Sequence, residues 1–397
     1  MAALANVKRR IKFLVQKCLR LGLKVLSPFI KTEQNRIVIV AVKRRGYADN
    51  LKYVCEDLLR SNKDDLTIVW ATEYPETCDE IRQKGIRIVK LPSFGYVGAQ
   101  LKSKVVVYND AIPPYMPKKK GQIYLNTWHG GINFKHIGYD YLFDRSKLSL
   151  KKFALGNPQP DHFLSGSRFF TENTAESFRF SEEVFLPWGL PRNDVLFDVV
   201  NHSAIAQKVR TFYGVPTHKK IVLYAPTFRV AFESDLHQLD VALLRATLSD
   251  RFGGEWTVLY RGHYFVKTDD RSSEDVIDAT LYPDSQEILI ASDVLISDYS
   301  SMMWDMSFLY RPVFSYAPDA ENYEKNERAF AYPMDRWPYP IAFDNASLAE
   351  KIRSFDPIPY REALEDFFVE AGSFERPDTC KKVTELILSY CQNEVKK

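Results

Sequence analysis

The residues best able to do chemistry in this 397-residue chain fall in short clusters, each placed directly after a β-branched run. The first is Thr127-Trp128-His129-Gly130-Gly131, behind the run Ile123 to Thr127. A histidine flanked by glycines at a strand end lets backbone approach a ligand closely, and its imidazole can take a proton near neutral pH. The second is Arg261-Gly262-His263, in which a guanidinium and an imidazole two residues apart project to one side of an extended chain. Both can donate hydrogen bonds to phosphate oxygens. The third is Ser297-Asp298-Tyr299-Ser300-Ser301, followed by the helical-looking stretch Met302 to Leu309. Hydroxyls and unpaired N–H groups at a helix start favour an anion. Asp305, one turn further on, is able to reach a ribose hydroxyl or to face solvent.

Two weaker clusters complete the set. Gly189-Leu190-Pro191-Arg192-Asn193-Asp194 is a turn whose Arg192 can meet a phosphate, and Ala225-Pro226-Thr227-Phe228-Arg229 adds a hydroxyl and a guanidinium after a strand. Each cluster also has a plain structural reading: a hydrogen-bonded loop histidine, a carboxylate-paired arginine, an N-capping serine. Together, two histidines, three arginines and several hydroxyls at strand ends suit an anionic donor that bears a diphosphate. Trp188, Trp304 and Trp337 are read as core or cleft walls, with no chemical role.

The elements that must position these clusters follow from hydrophobic pattern. Arg36 to Val42, Leu66 to Trp70, Ile86 to Leu91, Val105 to Tyr108 and Ile123 to Thr127 are expected strands, with helices over Asn50 to Ser61 and Pro75 to Gly85. The pattern restarts with Ile221 to Ala225, Thr257 to Arg261, Val294 to Ser297 and Val313 to Tyr316. Alternating strand and helix means parallel sheets covered on both faces. The fold class is therefore α/β, with two doubly wound domains facing a cleft, and ligands bind beyond the carboxyl ends of such strands. The polar stretch Asn201 to Lys220, with Gly214-Val215-Pro216, reads as a linker or a domain edge. The expected division is 1–34, 35–200 and 201–397.

Composition narrows the function class. Hydrophobic residues at 45% and charged residues at 26% describe a globular protein, and a net charge of +3 gives no reason to expect a nucleic-acid partner. Five dispersed cysteines show no metal or disulfide spacing, which fits a reduced compartment. No metal-spaced carboxylate cluster is visible, and no cofactor or metal is expected. No apolar run is long enough to span a bilayer, so the chain is expected to stay in the cytoplasm. Between Met1 and Thr32 there is no acidic residue, while Lys8, Arg9, Arg10, Lys12, Lys17, Arg20, Lys24 and Lys31 are cationic. Ile11, Leu14, Val15, Cys18, Leu21 and Val25 recur there at helical spacing. A basic amphipathic helix results, suited to an anionic membrane surface or to the protein's own surface.

Taken in order, these clusters resemble the CDP-glycerol glycerophosphotransferase family of teichoic acid synthesis, and Gly46-Tyr47-Ala48-Asp49-Asn50 is similar to a further segment of that family. The resemblance runs from about Arg36 to the C-terminus. It implies a two-Rossmann, glycosyltransferase B fold, a CDP-glycerol donor held mainly by the second domain, and a polyprenyl-diphosphate-linked glycan acceptor at the cytoplasmic face of the membrane. It implies that His129 and His263 are the functional histidines. The donor-contacting positions it implies are His129, Gly130, Gly131, Ile132, Asn133, Arg192, Pro226, Thr227, Arg261, Gly262, His263, Ser300, Ser301 and Asp305, and Trp128, Asn193, Arg229 and Asp298 are further candidate substrate contacts. The chain departs from the family at Gly131-Ile132, where a threonine-proline pair is usual. A capsule-type polyol or sugar phosphate transferase, a nucleotide-sugar glycosyltransferase, or a non-catalytic nucleotide-binding module would use the same clamps, and an oligomer is compatible with all of them.

Overall fold

The computed structural model describes residues 2–42, 46–61, 65–141, 146–227, 239–262 and 276–391. Its first sheet holds β1 (Glu33–Ala41), β2 (Thr67–Thr72), β3 (Arg87–Lys90), β4 (Ser103–Tyr108), β5 (Ile123–Asn126), β6 (His162–Leu164) and β7 (Phe185–Leu186). They lie in the order β3-β2-β1-β4-β5-β6-β7, each pair parallel. The second holds β8 (Lys220–Ala225), β9 (Trp256–Tyr260), β10 (Val276–Asp278), β11 (Val294–Ser297), β12 (Val313–Tyr316) and β13 (Ile341–Ala342), ordered β10-β9-β8-β11-β12-β13 and again parallel.

Strand β1 shows why the sheet is double-faced. Ile37, Ile39 and Ala41 enter one buried cluster and the alternating Val38 and Val40 another, so a continuous apolar run serves both faces. In each sheet the strand order reverses beside the first strand, between β1 and β4 and between β8 and β11. Crevices open at such switch points.

The structure differs from the sequence expectations in three places. Asn201 to Lys220 is not a plain linker, because His202–Tyr213 is a helix ended by Gly214 at φ 65°. Its Val209 is buried in the core of the second sheet. Pro75 to Gly85 is split into a 3-10 turn, Pro75–Thr77, and a short helix, Asp79–Gln83. The last helix, Thr379–Cys391, returns to the first sheet, where Val383, Ile387, Leu388 and Cys391 join the cluster around Ile37 and Leu51.

The N-terminal helix Ala2–Leu26 docks by one side. Phe13 is buried, Leu23 packs on the β1–β4 face, and the Arg20 guanidinium donates to the carbonyls of Pro114 (3.1 Å) and Met116. Ile11, Leu14, Val15, Leu21 and Val25 lie on the opposite side and are exposed. Among the described residues no helix is long and apolar enough to cross a membrane.

Candidate active site

A cleft of about 630 Å³ runs between the carboxyl ends of the two sheets. Its first wall is the turn after β5. Trp128 sits at φ 51°, a left-handed conformation that costs a bulky residue on the order of 1–3 kcal/mol. The surroundings over-determine it. Asn126 Oδ1 accepts the Trp128 N–H at 2.8 Å, and the Asn50 amide donates to the carbonyls of Thr127 and Trp128, both at 2.9 Å. The strained turn presents His129 to the cleft, stacked on the Trp128 ring at 4.4 Å. His129 Nδ1 lies 2.9 Å from the Asn109 carbonyl oxygen. A carbonyl accepts only, so Nδ1 carries a proton, and in the neutral form of the ring the lone pair falls on Nε2.

The opposite wall comes from the second sheet. Gly130 faces Ser301 so closely that a Cβ there would lie 3.2 Å from Ser301 Oγ. Ser300, Ser301, Pro226, Thr227, Arg261 and Gly262 all line the cleft. The Arg261 guanidinium donates to the carbonyls of Ala279 (3.0 Å) and Tyr282 (2.7 Å), which ties it to the loop after β10. Asp298 does not line the cleft. Its buried carboxylate accepts the backbone N–H groups of Thr227 (2.9 Å) and Tyr299 (2.6 Å), so it shapes two cleft loops from behind.

At the base of the cleft the halves are joined by buried charge. Arg192 donates to Asp49 (3.0 Å) and to Asp305 (2.7 Å), and Asp305 also accepts from Asn193 (3.2 Å) and Gln286 (3.0 Å). Burial lifts the Asp305 carboxyl above its ordinary value while Arg192 pulls it back down. Asp49, at φ 61°, further accepts from the Asn109 amide at 3.0 Å, which links this bridge to the residue holding His129. Nearby, Glu375 is buried, accepts the Leu190 N–H at 2.9 Å, and is pushed up to about 8 by burial.

The comparisons with known proteins bear on this arrangement. A model of the family described as CDP-Glycerol:Poly(glycerophosphate) glycerophosphotransferase matches residues 23–388. The chain belongs to that family. A teichoic acid glycerol-phosphate transferase of Staphylococcus aureus is 27% identical over 397 residues, covering 96% of this chain and 99% of that protein. A teichoic acid poly(glycerol phosphate) polymerase of Staphylococcus epidermidis is 29% identical over 88% of this chain, which spans 50% of that longer relative. Among solved structures, a variant of the wall teichoic acid polymerase TagF soaked with CDPG superposes with TM-score 0.84 at 26% identity, covering 99% of both chains. The fold is thus the glycosyltransferase B type. A UDP-GlcNAc 2-epimerase from Neisseria meningitidis, at 10% identity and TM-score 0.53 over 89% of this chain, shares the fold alone.

In this glycerophosphotransferase-family chain, the structure separates the sequence-expected residues by their place. His129, Gly130, Ile132, Pro226, Thr227, Arg261, Gly262, Ser300 and Ser301 are brought to one cleft. Trp128, Asn133, Arg192 and Asp305 also line it, but the Asn133 amide donates to Thr174 Oγ1 at 2.9 Å and Arg192 and Asp305 bond each other. For Asp305 this excludes the solvent-facing alternative. Asn193 serves the Asp305 carboxylate. His263 and Arg229 lie outside the described residues.

The family departure at Gly131 has a steric cause here. A Cβ at Gly131 would fall 2.5 Å from Trp304 Nε1 and 2.6 Å from Glu375 Oε1, so the backbone is pressed against the second half and no side chain fits. Sequence reasoning missed Glu375, Lys135 and Arg328. Glu375 and Arg328 carry no local motif.

Proposed function

We propose that the protein transfers glycerol phosphate from CDP-glycerol to a hydroxyl of a lipid-linked acceptor and releases CMP, in the synthesis of a teichoic acid or a related surface polymer. Family membership supports the reaction class, and the single observation that supports its mechanism is the His129 ring locked by the Asn109 carbonyl. That bond leaves Nε2 as the basic atom on a ring lining the cleft. In this reading the acceptor O–H gives its proton to His129 Nε2 as its oxygen attacks the glycerol-bearing phosphorus. The P–O bond to CMP breaks, and CMP leaves with the electron pair.

Arg261 and the hydroxyls of Ser300 and Ser301 hold the diphosphate and offset the charge that grows on the departing phosphate. His263 joins this group by family likeness. In this reading the unit expected over 35–200 presents the acceptor, and the unit expected over 201–397, apart from its returning last helix, holds the donor.

The N-terminal helix is proposed to hold the protein on the cytoplasmic face of the membrane. Its docked side leaves an apolar stripe flanked by cations facing outward, which is the arrangement an anionic leaflet binds. Incubating the purified protein with CDP-glycerol and a lipid-linked disaccharide bearing one glycerol phosphate tests the reaction. CMP release with acceptor mass rising by glycerol phosphate units supports it. A nucleoside diphosphate product and a new glycosidic bond would move the function to a sugar transferase.

A further inference from the structure

Beyond Gly131 the chain of the first half is zipped to a loop of the second. The Phe134 carbonyl accepts the N–H groups of Ala331 (2.9 Å) and Tyr332 (3.3 Å), and His136 donates to the Ala329 carbonyl at 3.0 Å. Lys135 and Phe330 form an antiparallel bridge. This pairing sets two cations into one region of the cleft wall. Lys135 Nζ lies 3.5 Å from Thr227 Oγ1 and 5.8 Å from the centre of the Tyr323 ring. The Arg328 guanidinium lies 3.6 Å from the centre of the Tyr141 ring, and among the described residues no carboxylate pairs with it. A guanidinium held over a ring has N–H groups left for an anion and gives up little freedom on binding one. Glu327 lines the same region, so among the described residues two positive groups meet one carboxylate there.

The strand order separates Arg328 from the proposed diphosphate clamp, and Lys135, beside Thr227, lies between them. Arg261 follows β9 on one flank of β8, whereas Tyr323 and Arg328 follow β12 on the other, with Ser300 and Ser301 between them after β11. One cleft therefore has cationic groups toward both ends. A donor diphosphate at the Arg261 end accounts for one set, and the second set calls for a second anion.

We propose that Lys135 and Arg328 form an acceptor subsite that takes the phosphodiester of a glycerol phosphate unit already on the acceptor. This rests on the transfer reading above and adds a substrate preference to it: acceptors that carry a phosphate near the reacting hydroxyl are favoured over neutral ones. Each cation contributes a charge-assisted hydrogen bond to the phosphate oxygens.

The test titrates the full-length protein with glycerophosphoglycerol, and separately with CDP-glycerol, in the wild type and in Lys135→Gln and Arg328→Gln, with thermal unfolding to confirm that each variant is folded. The expected result is a loss of about tenfold in phosphodiester affinity for each variant, with CDP-glycerol affinity changed by less than about twofold. An equal fall in CDP-glycerol affinity, phosphodiester binding that ignores both substitutions, or no phosphodiester binding by the wild type overturns the subsite. Phosphodiester binding that depends on Arg328 in a protein that never releases CMP would keep the subsite and remove the transfer reading.

Discussion

At the scale of single residues, the proposed mechanism rests on where one proton sits. The Asn109 carbonyl fixes the His129 tautomer, and Asp49 fixes Asn109 through its side-chain amide. His129→Ala is expected to lower turnover by about 10²- to 10⁴-fold while CDP-glycerol binding survives, because a base acts on the step and not on donor affinity. Single-turnover rates beside donor titrations check this, and unchanged turnover in a folded variant would assign the base elsewhere. His129 was legible because strand, histidine and glycines are adjacent in sequence. The reason for Gly131 was not, since Trp304 and Glu375, which leave it no room, lie 173 and 244 positions further along the chain. Sequence reads Arg192 as a phosphate contact and Asp305 as a ribose contact or a solvent-facing residue. The structure shows that they also bond each other, a pairing that local pattern does not reveal.

At the scale of elements, long apolar runs were easy to read and short or polar ones were not. The runs now β1, β8 and β11 are buried on both faces and leave an unbroken hydrophobic signature, whereas β7 and β13 have two residues each and leave none. The helix His202–Tyr213 carries only the pattern of a linker or domain edge because it buries one residue, Val209, among many polar ones. The N-terminal helix shows the opposite case. Its periodicity was plain, yet the structure was needed to show that the apolar stripe faces away from the protein. Replacing both Ile11 and Val15 by Glu removes two aliphatic side chains, each worth about 1.5–3 kcal/mol when buried in lipid, and adds negative charge. Binding to anionic vesicles in a sedimentation assay is expected to fall by more than about tenfold, with the unfolding midpoint nearly unchanged since both residues are exposed. Retained vesicle binding would give the helix another role.

At the scale of the whole molecule, two buried sets of ionisable groups decide how the halves stay together. Lys52, on the helix after β1, donates to Asp284 (2.6 Å) and Glu287 (2.9 Å) of the second half, with all three side chains buried. Burial acts to lower the Lys52 ammonium pKa, but the two carboxylates outweigh it and the net shift is upward. Lys52→Met leaves Asp284 without its cation and should cost about 3–5 kcal/mol in chemical denaturation. Adding Asp284→Asn should recover part of that loss; no recovery would mean that packing, not charge, causes it.

The second group sits where the chain crosses back between the halves. Gly372 accepts the Arg168 N–H at 2.8 Å, Phe374 donates to the Gly166 carbonyl at 2.9 Å, and Glu375 follows, enclosed by Gly131, Gly166 and Gly189. Burial raises its carboxyl to about 8 from the ordinary 4.5. Between those values the folded protein keeps a proton that the unfolded chain has released, so stability is present at acid pH and lost as pH rises through that window. With about 1.4 kcal/mol for each unit, the change from pH 5 to pH 8 amounts to a few kcal/mol from this one group. Glu375→Gln removes the titration. The variant is expected to lose some stability at pH 5, where the protonated acid already suits its site, and to narrow or reverse that deficit at pH 8. Urea unfolding at the two pH values measures the difference in slope, and parallel slopes for wild type and variant would show that Glu375 holds no proton in the folded protein.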